Sequence, residues 1–437
     1  MSKLALLGGQ PVRTRPFPPP NSFGEEELAN LKEVLASGVL SGFIARGFEA
    51  FRGGKMVRRL EAGFCERFGV RHAIAVNSNT SGLHAALAAI GIEPGDEVIV
   101  PPYTMSATAA AVLHANGVPV FADIETRTYG LDPADVERKI TKRTKAIMPV
   151  HLFGHPCRMD ELQSVARRHG LRLIEDAAQS PGALYRGRPT GTLGDLGVFS
   201  LNQNKTITTG EGGVVLTNDD ELALRVQLVR NHGEVCVEDL HYDNIPGTLG
   251  WNYRMTELEA AVGVAQLAKL DALNAHRQDL AAYLCERMRG MSGIEAPVTE
   301  PDCTHVYFCF PMRYDAQVVG LPRALFVKAM TAEGVPIGAG YVAPLYREPM
   351  YRRLQAYDRN RGFPFTYDRS PEQVPDYSDG ICPNCEALYE RKLILHFYCR
   401  HPLTRGDMDD VLAAMEKVLD GRADLLASQR EPAAVAS

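Results

Sequence analysis

Three side chains in the middle of the sequence could carry out chemistry together. Lys205 follows a short apolar run and precedes a glycine-rich segment. The amine of a lysine in such a place can form a Schiff base with pyridoxal phosphate or with a carbonyl substrate. Ser200 ends the same apolar run, and its hydroxyl can bind a phosphate group. Asp176 ends an earlier run, where its carboxylate could pair with a pyridine nitrogen.

The elements that must position these side chains are short apolar runs separated by helical patterns. Continuous apolar strands that alternate with helices predict an α/β fold, with a mostly parallel sheet covered on both faces. Ligands of such sheets bind beyond the carboxyl ends of the strands, where Thr80, Asp176 and Ser200 fall. The last two runs are close together and predict a hairpin that carries Lys205 between its strands. The seven runs are 73–76, 98–100, 119–122, 146–150, 171–175, 197–200 and 213–216.

The pattern changes after about residue 255, and we predict a division of the chain there. An apolar stripe over Glu257–Leu273 indicates a long helix that ends the large domain. A smaller α+β domain follows, with strands near Tyr307–Phe310 and 392–396. The predicted ranges are an N-terminal segment 1–30, a large domain 31–272, a small domain 273–425 and a flexible tail 426–437, with fraying from about residue 423.

Composition limits the classes of function. The 437 residues include 45% hydrophobic and 23% charged residues, which is ordinary for a globular protein. The net charge of -6 gives no electrostatic reason to expect nucleic acid or membrane partners. We find neither an apolar run long enough to cross a membrane nor a signal-peptide pattern, and we expect a cytoplasmic protein. The nine cysteines therefore predict buried, reduced thiols.

Several motifs in order give the chain a family resemblance. It resembles the DegT/StrS-type sugar aminotransferases, a fold type I pyridoxal-phosphate family, over roughly residues 5 to 420. Segment 8–13 also resembles the subgroup that aminates keto-cyclitols with glutamine. The resemblance implies a large domain with a seven-stranded sheet and a smaller C-terminal domain. The matching segments are 78–84, 95–101, 143–151, 175–179, 199–205, 210–213 and 251–258.

The resemblance assigns roles to individual residues. Lys205 would hold pyridoxal 5'-phosphate and move the substrate proton, while Asp176 would keep the pyridine nitrogen protonated. Gln179 would lie beside the ring hydroxyl. Asn252 would reach the phosphate in the neighbouring subunit, which implies a homodimer with shared active sites. The phosphate would be bound by Thr80, Ser81 and Ser200, with Asn79 also a cofactor-binding position.

Other positions are less well defined by the sequence. Met105 stands where the family has an aromatic residue that stacks on the cofactor, and a thioether can also pack on a ring face. His151 could face the substrate or lie in the core, and Arg254 could assist the phosphate or contact substrate. We expect Tyr341, Tyr346 and the long loop 352–379 to shape substrate choice. Glu211 could touch the site or only complete a turn, and the basic stretch 46–58 could contact an acidic substrate or the partner subunit.

Two other classes of function are alternatives to this interpretation. Cys382, Cys385, His396, Cys399 and His401 have spacings that can bind zinc, but the first two fit a family segment and we expect no metal. A dehydratase of the family would have histidine at the lysine position, and a non-catalytic or regulatory relative stays an alternative. We therefore predict an aminotransferase that moves an amino group from L-glutamine or L-glutamate to a keto-cyclitol or keto-sugar. A nucleotide-linked keto-sugar is the alternative acceptor.

Overall fold

A seven-stranded sheet organises the large domain of the chain, as predicted. The computed structural model describes residues 3–47, 49–237, 239 and 248–429. The strands are β1 (His72–Val76), β2 (Glu97–Val100), β3 (Val118–Phe121), β4 (Thr144–Ile147), β5 (Arg172–Asp176), β6 (Leu184–Tyr185), β7 (Arg188–Pro189), β8 (Leu196–Ser200), β9 (Gly213–Thr217), β10 (Ile294–Glu295), β11 (Phe310–Tyr314), β12 (Gly338–Ala339) and β13 (Leu393–His396). The central sheet has the order β1-β9-β8-β5-β4-β2-β3, and β6 and β7 form a separate two-stranded ribbon.

The central sheet is parallel except at β9. This strand is antiparallel to both of its neighbours, β1 and β8. The predicted hairpin is therefore confirmed, and its loop from 201 to 212 carries Lys205. In the β8–β9 ladder, Ser200 lies opposite Gly213.

Helices cover both faces of the sheet because successive side chains of each strand point to opposite sides. Ile74 and Val76 pack into one apolar cluster, whereas Ala73 and Ala75 pack into another on the opposite face. The helices are α1 (Glu25–Ser37), α2 (Lys55–Phe68), α3 (Asn79–Ala89), α4 (Ala107–His114), α5 (Pro133–Lys139), α6 (Met159–His169), α7 (Asp220–Arg230), α8 (Glu257–Arg287), α9 (Ala316–Val319), α10 (Arg323–Ala332), α11 (Pro349–Arg352), α12 (Pro383–Ala387), α13 (Arg405–Asp420) and α14 (Arg422–Ser428). Short 3-10 turns occupy Ala5–Leu7, Glu49–Arg52, Leu152–Gly154, Gly233–Val235, Leu345–Arg347 and Pro371–Gln373, and a π turn occupies Leu388–Lys392.

Helix α8 is longer than the sequence pattern predicts. Its 31 residues begin at a capping box, in which the Thr256 hydroxyl accepts from the Glu259 amide and the Glu259 carboxylate accepts from the Thr256 amide. The helix continues past Leu273 to Arg287. Leu280 and Leu284 in its second half are buried in the apolar core of the C-terminal part, so one helix serves both parts of the chain. The domain division at residue 272 stays a prediction.

The C-terminal part contains a second sheet, in the order β10-β11-β13-β12. The strand predicted near Tyr307–Phe310 begins only at Phe310. Tyr307 has a φ of 50°, and Phe308 instead donates its amide to the carbonyl of Phe153 at 2.9 Å. In the described part of the predicted tail, α14 buries Leu425 in the second core, and the fraying of the tail stays a prediction. Residues 430–437 of the predicted tail lie outside the described residues.

The long loop 352–379 lies against the amino ends of strands. The hydroxyl of Tyr377 donates to the carbonyl of Pro119 in β3 at 2.7 Å. The Arg369 guanidinium pairs with Glu97 at the start of β2 and donates to the Gly95 carbonyl at 2.6 Å. Strand β3 is an edge strand, and the loop covers backbone groups that would otherwise be exposed there.

Candidate active site

A cavity of about 270 Å³ opens at the carboxyl ends of β5 and β8. It is close to the lower limit of ordinary small-molecule sites, which are roughly 300–1,000 Å³. Eight of the predicted site residues line it: Asn79, Thr80, Met105, Asp176, Gln179, Ser200, Lys205 and Tyr341. Its other lining residues are Ser78, Thr104, Ala107, Val150, Ala178, Asn202, Asn204, Glu211, Gly212 and Phe308.

Asp176 is the buried acid of the cavity. One carboxylate oxygen accepts from the Thr108 hydroxyl at 2.8 Å, and the other accepts from the Ala178 amide at 3.2 Å. Burial raises the pKa of Asp176, although the two hydrogen bonds and the positive charge of Lys205 oppose this shift. Within the part of the chain that the structure describes, Asp176 forms no ion pair within 4.0 Å. A buried carboxylate without a cation fits a ligand that brings a protonated ring nitrogen.

Lys205 lies in the loop between β8 and β9, and its side chain enters the same cavity. Its backbone amide donates to the Asn202 carbonyl at 2.9 Å, which fixes the turn before the side chain. The amine nitrogen lies 4.6 Å from the centre of the Phe308 ring. Burial lowers the pKa of Lys205, and attraction to Asp176 only partly opposes this effect. Since the neutral amine is the nucleophile, burial here favours reaction with a carbonyl group.

The N-terminus of α3 forms a subsite for an anion. Thr80 lines the cavity in the first turn of this helix, where free backbone N–H groups and the helix dipole favour negative charge. Ser200 brings its hydroxyl to the same place from the end of β8. The close approach depends on Gly213 opposite Ser200, because a Cβ atom there would lie 2.7 Å from the carbonyl oxygen of Ser78. A phosphate group fits this donor set.

Asn79 and Ser81 support this helix terminus. The Asn79 side chain donates to the Val198 carbonyl at 3.2 Å and so ties α3 to β8. The Ser81 hydroxyl donates to the Asn77 side chain at 2.6 Å, while its amide donates to the capping hydroxyl of Ser78 at 3.1 Å. Ser81 lies outside the cavity lining, and its direct contact with phosphate stays a prediction. Its hydrogen bonds place it within the helix cap.

Gln179 and Tyr341 form a linked pair on the cavity wall. The Gln179 carbonyl oxygen accepts from the Phe153 amide at 2.7 Å, and its nitrogen donates to the Tyr341 hydroxyl at 3.3 Å. The Tyr341 amide in turn donates to the hydroxyl of Tyr103 at 2.7 Å. These bonds hold both side chains where a bound ring and its substituents would meet them.

The mouth of the cavity is lined by Met105 and Glu211. Met105 is 50% exposed in this chain, so its thioether is free to pack on a ligand. Glu211 accepts from the Asn202 side-chain amide at 2.9 Å and lies on the cavity wall. Of the two roles left open for Glu211, contact with the site is therefore the one that the geometry favours.

Two predicted substrate residues lie in the core instead. His151 is fully buried; one ring nitrogen accepts from the Cys157 amide at 3.0 Å and the other lies 2.8 Å from the Glu175 carboxylate. Tyr346 is also fully buried, and its hydroxyl donates to Glu386 at 2.6 Å. Both polar groups are satisfied inside the protein, so neither side chain is available to a substrate in the cavity.

Asn252 and Arg254 also lie outside this cavity. Asn252 is exposed, and the Arg254 guanidinium donates to the Asn231 side chain at 3.0 Å. The sequence expectation was that Asn252 acts in the neighbouring subunit, and its separation from the cavity of its own chain agrees with that expectation without testing it.

The loop 352–379 does not shape this cavity, contrary to the sequence expectation. None of its residues is among those that line the cavity, because it packs against the amino ends of β2 and β3. The cavity lies at the carboxyl ends of the neighbouring strands. The length of a strand separates the two ends, so the loop cannot reach a ligand beside the Lys205 of its own chain.

Thr108 and Phe308 are candidate functional positions that were not predicted from the sequence. Thr108 is fully buried and orients Asp176, and Phe308 comes from the C-terminal part to cover Lys205. A signal for Thr108 exists in the sequence, since it is a hydroxyl residue in the otherwise apolar start of α4. For Phe308 we find no such signal, because its contact depends on how the two parts of the chain meet.

The zinc alternative finds no support in the described ranges. No group of three or more His, Cys, Asp or Glu side chains that could hold a metal ion occurs among them. Cys382 and Cys385 are buried, and burial raises the pKa of both thiols. In the same ranges, no helix is both long and apolar enough to cross a membrane.

Comparisons with known proteins agree with this site. The model of the DegT/DnrJ/EryC1/StrS aminotransferase family matches residues 22–369. The chain belongs to this family. It is 38% identical to an L-glutamine:2-deoxy-scyllo-inosose aminotransferase of Streptoalloteichus tenebrarius, over 97% of this chain and 99% of that protein. It is 41% identical to GDP-perosamine synthase of Caulobacter vibrioides, over 70% of this chain and 81% of that protein.

A solved structure gives the same result for the fold. The crystal structure of DesI in the presence of its TDP-sugar product aligns with a TM-score of 0.80 and 30% identity, covering 98% of this chain and 99% of DesI. The predicted family, the fold type I architecture and the aminotransferase class are thereby confirmed.

Proposed function

We propose that this aminotransferase uses pyridoxal 5'-phosphate to transfer the amino group of L-glutamine to a keto-cyclitol. The observation that carries the proposal is the meeting of Asp176, Lys205 and the α3 N-terminus in one cavity. The choice of donor and acceptor is supported by the 2-deoxy-scyllo-inosose aminotransferase, which is similar over nearly its whole length, and by the match of segment 8–13.

Each part of the cofactor has a matching group in the cavity. Asp176 would hold the proton on the ring nitrogen, Gln179 would lie beside the ring hydroxyl, and Met105 would pack on the ring face. Thr80 and Ser200 would bind the phosphate. Bound pyridoxal phosphate supplies an electron sink for the electrons of a broken C–H bond.

Lys205 would then act as the base of the reaction. Its amine is buried and its pKa is lowered, which increases the share of neutral nitrogen that can take the proton from the carbon that carries the amino group. The same nitrogen can return the proton to the other reacting carbon. Phe308 covers the amine on one side and limits access of water.

A nucleotide-linked keto-sugar is the second candidate acceptor. It is supported by the similarity to GDP-perosamine synthase and to DesI. The two candidates differ in charge, since a nucleotide sugar carries a diphosphate and a free cyclitol carries none. Measuring kcat/KM of the same enzyme for both acceptors therefore distinguishes the two candidates.

The proposed active unit is a homodimer with shared sites. Support comes from an exposed apolar surface beside Asn252, where Leu249 is 70% exposed and Trp251 is 44% exposed in the single chain. A second copy that covers this surface would bring its own Asn252 and Arg254 towards a neighbouring cavity. Sedimentation of the cofactor-loaded protein measures the number of chains in the assembly. Weaker binding of pyridoxal phosphate by Asn252→Ala would support the shared site.

The deciding experiment is spectroscopic. The purified protein is loaded with pyridoxal phosphate, L-glutamine or L-glutamate is added, and the loss of the absorbance band of the bound cofactor is followed. We expect L-glutamine to bleach the band and 2-deoxy-scyllo-inosose to restore it. Lys205→Ala should show no such band. Bleaching by neither amino acid, or equal spectra for Lys205→Ala and the unchanged protein, would contradict the proposal.

A further inference from the structure

One polar pair of side chains in the active-site cavity has no role in the predicted cofactor site. Asn202 and Glu211 both line the cavity and belong to the loop between β8 and β9. Glu211 is exposed and Asn202 is half-buried, whereas Asp176 and Ser200, which would contact the cofactor, are buried. The pair therefore lies nearer to solvent than these cofactor groups, and a substrate that enters the cavity from solvent would meet it.

The hairpin holds the backbone of this pair in place. The Leu201 amide donates to the Gly212 carbonyl at 2.9 Å, and the Gln203 amide donates to the Gly210 carbonyl at 2.8 Å. These two bonds flank both residues of the pair. Gly210 has a φ of 87°, in the left-handed region that favours glycine, so the turn that leads into Glu211 has a defined geometry as well.

A hydrogen bond between the two side chains orients them. The Asn202 side-chain nitrogen donates to one carboxylate oxygen of Glu211 at 2.9 Å, and the Asn202 side-chain oxygen accepts from the Asn204 amide at 3.2 Å. The second bond determines which end of the side-chain amide faces Glu211. An amide nitrogen carries two hydrogens, so one N–H remains for a ligand. Glu211 forms no ion pair among the residues that the structure describes, and its second carboxylate oxygen can accept further bonds.

A neutral hydroxyl group is the ligand that matches this pair. A hydroxyl both donates and accepts a hydrogen bond, so it can use the carboxylate of Glu211 and the free N–H of Asn202 together. An ionised phosphate oxygen only accepts, and Glu211 would repel it. An ammonium group only donates and would leave the N–H unused. Lys205 is the only cation among the described residues that line the cavity, and the proposed cofactor engages its amine. A negatively charged part of a substrate therefore finds no free cation there in the same chain.

We propose that Asn202 and Glu211 bind one ring hydroxyl of the keto acceptor and so select polyhydroxylated ketones. Glu211 would accept a hydrogen bond from the hydroxyl, and Asn202 would donate one to the hydroxyl oxygen. The inference rests on the proposed function, because it concerns the acceptor of the same cavity. The pair would act on the acceptor alone, since L-glutamine carries no hydroxyl group. Neither side chain takes part in the proton transfer at Lys205.

Glu211→Gln tests the proposal in the two half-reactions of the cofactor-loaded enzyme. The variant keeps the shape of the side chain and an oxygen for the bond from Asn202, and it removes the charge and the second accepting oxygen. Reaction of the aminated enzyme with 2-deoxy-scyllo-inosose should lose roughly 10- to 150-fold in kcat/KM, which corresponds to one hydrogen bond to a charged group. The half-reaction with L-glutamine should be unchanged. Glu416→Gln, an exposed position on α13, is the matched control and should leave both half-reactions unchanged.

Acceptor analogues that each lack one ring hydroxyl provide a second measurement. The analogue without the hydroxyl that the pair binds should react equally well with Glu211→Gln and with the unchanged enzyme. Normal kcat/KM of Glu211→Gln for 2-deoxy-scyllo-inosose, an equal loss in the glutamine half-reaction, or a full loss with every analogue would each overturn the inference. Failure of the proposed function gives a different result, because the unchanged protein itself would then not be bleached by L-glutamine or not be restored by the acceptor.

Discussion

Removal of the Thr108 hydroxyl tests how the protein controls Asp176. The carboxylate has two hydrogen bonds, and one of its oxygens is served by Thr108 at 2.8 Å. Asp176 is only 3% exposed and Thr108 is fully buried, so water cannot easily replace the lost donor. Thr108→Val keeps the shape of the side chain and removes this bond, together with a longer contact of 3.4 Å to the Thr104 hydroxyl.

The size of the effect follows from the charge on the acceptor. A hydrogen bond to a charged group contributes about 1.5–3 kcal/mol. A loss of this size in the transition state lowers kcat/KM by roughly 10- to 150-fold. The ionised form of Asp176 also loses support, so its pKa should rise further above its usual range, and the acid limb of the pH profile should move to higher pH.

The assay is the half-reaction with L-glutamine, followed by the cofactor absorbance across pH. Thr108→Ser is the matched control, since it retains the hydroxyl and loses only a methyl group. We expect the serine variant to be within a few-fold of the unchanged enzyme. If Thr108→Val has normal kcat/KM and a normal pH profile, or if the serine variant is impaired as severely, the hydroxyl does not act through Asp176 and the reasoning is refuted.

Three further substitutions follow from the same geometry. Lys205→Met should stabilise the cofactor-free protein against urea at pH 7. Burial lowers the pKa of Lys205, so the unfolded chain binds more protons than the folded one. The stability of the unchanged protein therefore rises with pH towards 10.5, the ordinary pKa of a lysine. A stability difference between the two proteins that stays constant from about pH 7 to pH 10 would contradict this. Met105→Tyr should tighten pyridoxal phosphate binding about 2- to 10-fold in a spectroscopic titration, from about 0.5–1.5 kcal/mol of ring stacking, and weaker binding would exclude a stacking position. Tyr346→Phe should lower the free energy of unfolding by about 1.5–3 kcal/mol through the lost bond to Glu386 and leave the acceptor KM unchanged. A raised KM would restore Tyr346 as a substrate residue.

The strands and the chemistry of the site could be predicted because both are local. Each strand of the central sheet is a short apolar run, buried on both faces, so the run itself reveals the strand. Asp176 and Ser200 are the last residues of their strands, and Lys205 lies in the loop between two strands that are adjacent in the sequence. The hairpin of β8 and β9 needs no distant contact to form.

The expectations that differ from the structure concern residue types that occur both in binding sites and in protein cores. His151 and Tyr346 are polar residues that are typical of binding sites, yet each finds a partner inside the core. The loop 352–379 has a composition typical of a substrate lid, but Tyr377 and Arg369 attach it to the far end of the sheet. Composition describes what a segment can bind and does not reveal which neighbour it meets.

The sequence by itself determined the order of strands along the chain, the family, and the acid, the amine and the anion-binding helix of the site. These features depend on apolar periodicity and on motifs within a few residues of one another. Only the tertiary structure decided that Thr108 orients Asp176 and that Phe308 covers Lys205. Each of these joins segments far apart in the chain. Such contacts are determined by the packing of helices and loops on the sheet, which no local pattern encodes.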